Sequence, residues 1–580
     1  MGIISGFKKL FSLFNRRQKI NTLIMLGLIV IGAIAETVGI GIILPFTTIL
    51  LDPDATVSFP ILQNIINLPW VGGHRNFIVL MCTGLVLIFV LKSIYMFILI
   101  YIQNRFTFNR QIDLSKSLFK SYLGKPYEYF FNKNTAELQR NVNRLVEQIV
   151  QGVVIMGLQL LTEGIIVFFI LTLLLIIDPI STLSIFVVLG SVSCVYYMVL
   201  RKKVDASAKR QNYYSAGMIK TVNEGLGSIK DTRVLGREDS FLMQYEKFGI
   251  GFAKASAFHN LVYLSPRLLI ETLAVSGLVI IVVINSMRSP DITVSVPAIA
   301  LFGMAAMRIM PSLYRILGFI TSIRFNMTHL NEIFEDLKEA VSKEDVQKEK
   351  TDKVMFDQSI EVRDITFKYP GTEVEILKNV QLSIKKGQTI GIVGTSGAGK
   401  TTLIDILLGL LKPDEGELLI DGKSIYENIR GFRKCIGYVP QDIFIVDDTV
   451  AANIAFGISR DEVDENRIWQ ALEIANLKDY ISSLEEGLET TVGESGMRLS
   501  GGQKQRLGIA RALYHNPEIL VFDEATSSLD NESEKIISEA ITEIGQTKTL
   551  IIIAHRLNTL EKCDVIYEIK DGGIKVLEVL

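Results

Sequence analysis

Six apolar stretches interrupt the first half of this 580-residue chain, and no other feature constrains its fold as strongly. They lie at about 20–50, 76–104, 146–177, 180–200, 259–286 and 293–322. A hydrocarbon core of about 30 Å calls for about 20 residues of helix, because lipid offers no partner to a backbone N–H or C=O. Runs of this length predict a bundle of six membrane-spanning helices. Gly39, Gly41 and Pro45 are compatible with that reading, since neighbouring helices re-satisfy the freed backbone groups. The first run is too long for a signal peptide and is not followed by a small-residue cleavage site, so it reads as a retained anchor.

The formal net charge of −2 is an average over two unlike halves. Up to Asp345 there are 33 Lys and Arg against 23 Asp and Glu; beyond it there are 27 against 39. A basic membrane half and an acidic second half argue against a nucleic-acid partner, whose basic patch would have to lie outside the membrane. Within the basic half the charge is uneven. Lys8, Lys9, Arg16, Arg17 and Lys19, the segment Arg105–Arg144 and the segment Arg201–Lys254 are rich in Lys and Arg, whereas the loop at about 51–75 carries Arg75 alone. Positive charge predicts that the N-terminus, both long loops and the acidic half are cytoplasmic, which six crossings allow. The expected location is the cytoplasmic (inner) membrane.

The two long loops keep helical spacing. Leu114, Leu118 and Tyr122 precede Lys125-Pro126, and Leu138, Val142 and Val146 follow it, so the spans are expected to continue as helices beyond the bilayer. Tyr127, Tyr129, Phe130 and Phe131 mark the first turning point, and Gly236 to Phe241 the second; both tips are expected to dock on the acidic half. Phe59 to Trp70 predicts an amphipathic helix at the outer interface or a loop packed on the bundle. Cys82, Cys194, Cys435 and Cys563 have no metal or redox spacing and read as buried apolar side chains.

Charges inside a span cost roughly 2.5 to 3.5 kcal/mol at a helix centre, so each requires a partner or a watery lumen. Glu36, Lys92, Glu163, Arg267, Glu271 and Arg308 are among them. Arg267 and Glu271 are four residues apart and can pair along one helix. Two readings of the cations stay open: Lys92, Arg267 and Arg308 form a cationic belt for an anionic substrate, or they pair between helices with Glu36 and Glu163.

From about Lys353 short β-type runs alternate with helical ones, the pattern of an α/β domain. The expected organisation is a transmembrane domain at 1–330, a linker at 331–352 and an α/β domain at 353–580, which the following motifs mark as a P-loop ATPase. The strand Thr389 to Val393 runs into Gly394, Thr395, Ser396, Gly397, Ala398, Gly399, Lys400, Thr401 and Thr402, followed by an apolar helix. This is a phosphate-binding loop in its strand–loop–helix setting. Glycines let backbone N–H groups close on phosphates, the helix N-terminus favours negative charge, Lys400 reaches the β and γ phosphates, and the Thr401 hydroxyl ligates Mg²⁺. A second apolar strand, Ile519 to Phe522, ends in Asp523 and Glu524. Read as a core strand beside the first, it places Asp523 to hold Mg²⁺ through water and Glu524 to face the γ-phosphate and orient the attacking water.

The run Leu499-Ser500-Gly501-Gly502-Gln503, about 20 residues earlier, is similar to the signature of the ATP-binding cassette superfamily. That resemblance implies further roles: Tyr369 stacking on adenine, Gln441 touching Mg²⁺ and sensing the membrane domain, Asp530 in the Ser528-Leu529-Asp530 loop, and His555 on the γ-phosphate. It also implies that Ser500, Gly501, Gly502 and Gln503 of one copy complete the ATP site of another, hence a homodimer joined through both domains. His74, His259, His329 and His515 match no motif.

Six spans followed by one cassette resemble half-size exporters. The membrane half resembles flippases of lipid-linked oligosaccharides, through Glu36 before Leu44-Pro45-Phe46, Pro266-Arg267 with Glu271, Arg308 to Ser312 with Arg315, and a basic residue at Lys92. That resemblance implies that Lys92, Arg267 and Arg308 receive the pyrophosphate of an anionic polyprenyl-linked glycan. The other readings are a drug, lipid or peptide exporter of the same build, and a channel or regulator using ATP as a switch. The spans exclude a soluble cassette ATPase acting on ribosomes or DNA.

Overall fold

The computed structural model describes residues 3–51, 74–177, 179–273, 275–276, 279, 296–342, 352–493, 496–525, 531–554 and 560–579. The stretch Phe59 to Trp70, read as an outer amphipathic helix or a loop packed on the bundle, lies outside them. The chain forms two compact units: Met1–Lys125 with Lys133–Val346, and Pro126–Asn132 with Gln347–Leu580.

The first unit is helical. Helix α1 spans Ile3–Ser12, α2 Arg16–Gly41, α3 Ile43–Leu51, α4 His74–Leu123, α5 Thr135–Ile177, α6 Pro179–Gly227, α7 Ile229–Val234, α8 Glu238–Leu264 and α9 Val296–Ser342. Asn15 starts α2 through a capping box with Gln18, satisfying two N–H groups that the first turn would otherwise leave open. Among the described residues three segments are long and apolar enough to cross a membrane: Arg16–Leu50, Arg75–Leu123 and Thr135–Ile177. On α4, Val86, Leu87, Val90, Leu91, Ile94 and Phe97 are all exposed. A water-facing helix would not present such a stripe, whereas one bathed in lipid does.

The expected extensions are present. At 50, 49 and 47 residues, α4, α6 and α9 are each about 70 Å long, more than twice the hydrocarbon thickness. Small residues set how closely they pack. A side chain at Gly217 of α6 would put its Cβ 2.6 Å from the Phe248 ring, and one at Gly251 of α8 would meet Tyr214 at 2.5 Å. Ser207 donates to the Ala255 carbonyl (2.9 Å) and Gln211 to Ser256 (2.8 Å) along the same seam. In α5 the ladder loosens to π-type turns at Asn141–Leu145 and Val150–Ile155, and there Gly152 lies directly against Asn326 of α9.

Two expectations are corrected here. The stretch from residue 331, read as linker, continues α9 to Ser342. The reason is a second apolar stripe, Leu330, Ile333, Phe334 and Leu337, which is buried, while Glu332 and Glu339 pair with Arg140 and Lys125. The cysteines also divide: Cys435 and Cys563 are buried, whereas Cys82 and Cys194 are exposed, on outward faces of apolar helices.

In the second unit an antiparallel sheet has the order β2-β1-β4-β5 (β1 Ser359–Lys368, β2 Glu375–Lys385, β4 Glu415–Ile420, β5 Lys423–Ser424). A larger sheet has the order β10-β9-β3-β8-β7-β6, with β3 Thr389–Gly394, β6 Ile436–Val439, β7 Ile519–Asp523, β8 Thr549–Ile553, β9 Val565–Lys570 and β10 Gly573–Val579. All but β10 run parallel in it. The central strands β7 and β8 are buried at every residue, as continuous apolar runs in a sheet covered on both faces require. One core lies between the two sheets and includes helix α10, Lys400–Leu407. The other, on the opposite face, holds α11, Gly501–Leu513, and three shorter helices between residues 450 and 483.

Candidate functional site

The carboxyl ends of β3, β7 and β8 converge on one edge of the larger sheet. Gly394 ends β3, and the turn after it is possible because Gly397 and Gly399 adopt φ of +80° and +102°, a region that side chains disfavour. A Cβ at Gly394 would fall 2.6 Å from the Ile569 carbonyl, so the strand must end in glycine to pass β9. Lys400 opens α10, is buried, and folds back to donate to the carbonyls of Gly394 (2.9 Å) and Thr395 (3.1 Å). Its ammonium thus sits inside the loop formed by Thr395, Ser396, Gly397, Ala398 and Gly399. Thr401 is exposed at the helix start and Thr402 is buried beneath it.

Sequence reading placed the strand bearing Asp523 beside β3. The sheet corrects this: β8 lies between β3 and β7. Ile553 is the register partner of both Ile392 and Asp523, so the carboxylate still ends level with the start of the loop. An intervening strand gives the site room for a phosphate and its counter-ion.

Asp523 is buried and accepts a hydrogen bond from the Tyr438 hydroxyl at 3.3 Å. Burial, with Glu524 adding to it, raises its pKa against the opposing pull of Tyr438 and Lys400. Glu524 sits at φ +48°, and its carboxylate accepts from Gln441 Nε2 at 2.9 Å. That bond brings together two residues the sequence identified separately. Tyr369 is gripped at its edge by Phe367 and Phe131, with ring centroids 5.2 and 5.4 Å away, and its hydroxyl lies 3.0 Å from Thr402 Oγ1. Phe131 belongs to the 3₁₀ turn Tyr127–Asn132, which the chain threads into this unit.

Ser500 caps α11 reciprocally with Gln503, and Gly501 and Gly502 form its first turn. Among the described residues no hydrogen bond or ion pair joins this segment to the phosphate loop. Asp530 and His555 lie outside the described residues. Two groups escaped sequence reading. Tyr438 is a phenol in an otherwise apolar strand, its pKa raised mainly by burial and then by Asp523. Asp405 is a lone carboxylate in the apolar helix α10, pushed up to about 6 by burial and by Asp523. A polar residue breaking an apolar run was the signal for both.

Of the candidate substrate cations in the first unit, Lys92 of α4 pairs with Glu36 of α2 at 3.1 Å and lies over the Phe89 ring. For Lys92 the geometry matches the interhelical-pair reading. Glu163 is taken by Arg315 (2.6 Å) and Ser312 (2.6 Å). Arg267 is exposed, 3.8 Å from Glu271 on its own helix, and the side chain of Arg308 lies outside the described residues.

Comparison with known proteins agrees with this architecture. Residues 24–263 match the ABC transporter transmembrane region and residues 377–527 match the ABC transporter domain. The ATP-dependent lipid A-core flippase of Francisella tularensis subsp. holarctica (strain OSU18) is 30% identical over 520 residues, covering 86% of this chain and 82% of the flippase. That of Escherichia coli (strain K12) is 42% identical over 216 residues, 37% of each chain. The solved structure of a bacterial Atm1-family ABC exporter with ATP bound shares the fold at a TM-score of 0.75, with 22% identity, over 97% of this chain and 94% of that one. A helical membrane region and a P-loop ATPase region on one polypeptide thus place the chain in the ABC transporter family, as an exporter-type half-transporter that couples ATP hydrolysis to transport.

Proposed function

We propose that two copies of this chain form a flippase that moves an anionic, phosphate-bearing lipid-linked glycan across the cytoplasmic membrane, with the ATPase units in the cytoplasm. The observation that carries the reading is the alignment with proteins named lipid A-core flippases over most of both chains.

ATP would bind with its phosphates on the N–H groups of residues 394–402, displacing Lys400 from the Gly394 and Thr395 carbonyls, and with its adenine against Tyr369. Thr401, Gln441 and Asp523 offer a hydroxyl, an amide and a buried carboxylate, the hard oxygen donors that suit Mg²⁺, which when bound neutralises charge on the β and γ phosphates. Glu524 would orient the attacking water, and His555, two residues after β8 in the sequence, would hold the γ-phosphate. Because Gln441 donates to Glu524, a shift of the Gln441 loop would change the aim of that carboxylate, which gives the transport cycle a lever on hydrolysis. Ser500 to Gln503 and Asp530 of one copy would close the site of the other.

The belt reading is narrowed. With Lys92 held by Glu36, the substrate phosphate would be met first by Arg267 and Arg308, and Lys92 would join only by exchanging its partner.

The test is reconstitution of the full chain in proteoliposomes with a polyprenyl-pyrophosphate oligosaccharide. The expected result is ATP-dependent reorientation of that lipid, lost in Glu524→Gln, whose ATP turnover should fall on the order of a hundredfold or more. Stimulation by uncharged drugs with no lipid reorientation would support the drug-exporter reading instead.

A further inference from the structure

In the first unit, a cleft of about 400 Å³ opens between α6 and α8. Its lining falls on one face of each helix. Lys203, Ser207, Arg210 and Tyr214 recur on α6 at helical spacing, and Gly251, Lys254, Ala255 and Phe258 do the same on α8. Three cations therefore converge on the opening, and among the described residues no carboxylate lines it. The nearest acid in sequence, Asp205, is engaged by Arg324 of α9, on a different face of α6. Among the described residues Lys203, Arg210 and Lys254 have no ion-pair partner.

The apolar part is equally specific. Gly251 lets Tyr214 lie flat against α8, since a Cβ there would come within 2.6 Å of three ring atoms, and Phe258 adds a second ring toward the membrane end. Lys203 follows the fourth apolar run by three residues, and Lys254 precedes the fifth by five. At about 1.5 Å per residue, these two lysines sit within roughly 10 Å of the hydrocarbon edge, the depth of phosphate headgroups, and the long side chain of Arg210 starts about 15 Å from it.

We propose that this cleft is a phosphate-anion site separate from the ATPase site and from the candidate cations within the spans, and that the anion is the headgroup of a lipid in the cytoplasmic leaflet. The chemistry fits: two ammonium groups and a guanidinium for the phosphate, and aromatic surface for the adjoining glycerol and first methylenes. The depth assignment rests on the orientation proposed above; the charge and shape of the cleft do not.

The experiment is native mass spectrometry of the full chain, purified in detergent and titrated with phosphatidylglycerol or phosphatidylcholine. The wild type should retain phosphatidylglycerol preferentially. The triple variant Lys203→Gln, Arg210→Gln, Lys254→Gln should lose that preference by on the order of a hundredfold, as each basic group near an anionic surface contributes about fivefold. The charge-conserving variant Lys203→Arg, Arg210→Lys, Lys254→Arg should keep most of it, and basal ATPase reports that both variants fold. If millimolar inorganic phosphate removes the lipid through the same three residues, the site takes the phosphate group itself, and a soluble anion is the competing source. Equal lipid retention by wild type and the triple Gln variant, with no effect of phosphate, would overturn the proposal. Labelling of Ala206→Cys by a membrane-impermeant maleimide in sealed vesicles, against the parent chain, tests the orientation separately.

Discussion

A buried imidazole shows how much the setting of a single side chain decides. His329 of α9 is fully buried, neither of its ring nitrogens has a hydrogen-bond partner among the described residues, and its ring packs on Phe325, which also lies against His259 at 4.1 Å. Burial, followed by Arg140, Arg144 and His259, pushes its pKa down to about 4. The fold therefore holds the neutral form, while an unfolded chain takes up a proton below its ordinary value of 6.5. Its contribution to stability is whole above pH 6.5 and declines as pH falls toward 4. Thermal unfolding in detergent at pH 7.5 and pH 5 should show His329→Phe losing less stability than the wild type, by about 2 kcal/mol. Equal losses would mean that His329 is not the group being protonated. A second residue-scale test concerns Lys92 and Glu36. Glu36→Gln alone strips the countercharge from a largely buried ammonium and should cost about 3 kcal/mol or more, whereas Glu36→Gln with Lys92→Met should cost less. Unfolding midpoints in nanodiscs check the order; a double variant worse than the single would show that the pair does not act as a unit.

Among elements, the α6–α8 seam depends on two glycines that helix propensity alone would count as defects. Gly217→Ala gains about 1 kcal/mol in helix propensity. Against that, the new Cβ would lie 2.6 Å from the Phe248 ring, and overpacking of this kind costs about 1–3 kcal/mol. The expected net effect is destabilisation of about 1 kcal/mol, read as a lower unfolding midpoint; a higher one would mean that the ring turns aside freely. At this scale much was legible in the sequence. The apolar stripes flanking Lys125-Pro126 foretold helices running past the bilayer, and the strand–loop–helix order foretold the turn from β3 into α10. The end of α9 was not, because the acidic residues after Glu332 look like a linker until Arg140 and Lys125 are seen opposite them. Nor was the strand order, since nothing in the local pattern of β3 or β7 says that β8 will come between them.

For the whole molecule, the signature helix α11 bears no hydrogen bond or ion pair to its own phosphate loop among the described residues, in keeping with the proposed exchange between copies. Complementation tests it. Lys400→Ala and Ser500→Arg should each abolish ATP turnover alone. A mixed dimer isolated through two different tags should recover about half of wild-type turnover, because one site then pairs an intact loop with an intact signature from the opposite chain. A signature acting on its own chain would leave the mixed dimer as inactive as either parent. The sequence by itself determined that a helical membrane region precedes a P-loop ATPase, and it located the phosphate loop, Asp523 and Glu524, because backbone satisfaction in lipid and phosphate binding each demand fixed residue types at fixed spacing; Gln441 came only from the family resemblance. Tertiary structure alone decided that Lys92 meets Glu36, that Gln441 reaches Glu524, that Tyr438 and Asp405 belong with Asp523, and that three lysine and arginine side chains of α6 and α8 share one cleft. Such pairings depend on how each helix or strand is turned about its own axis, and that rotation is set by packing partners far away in the chain.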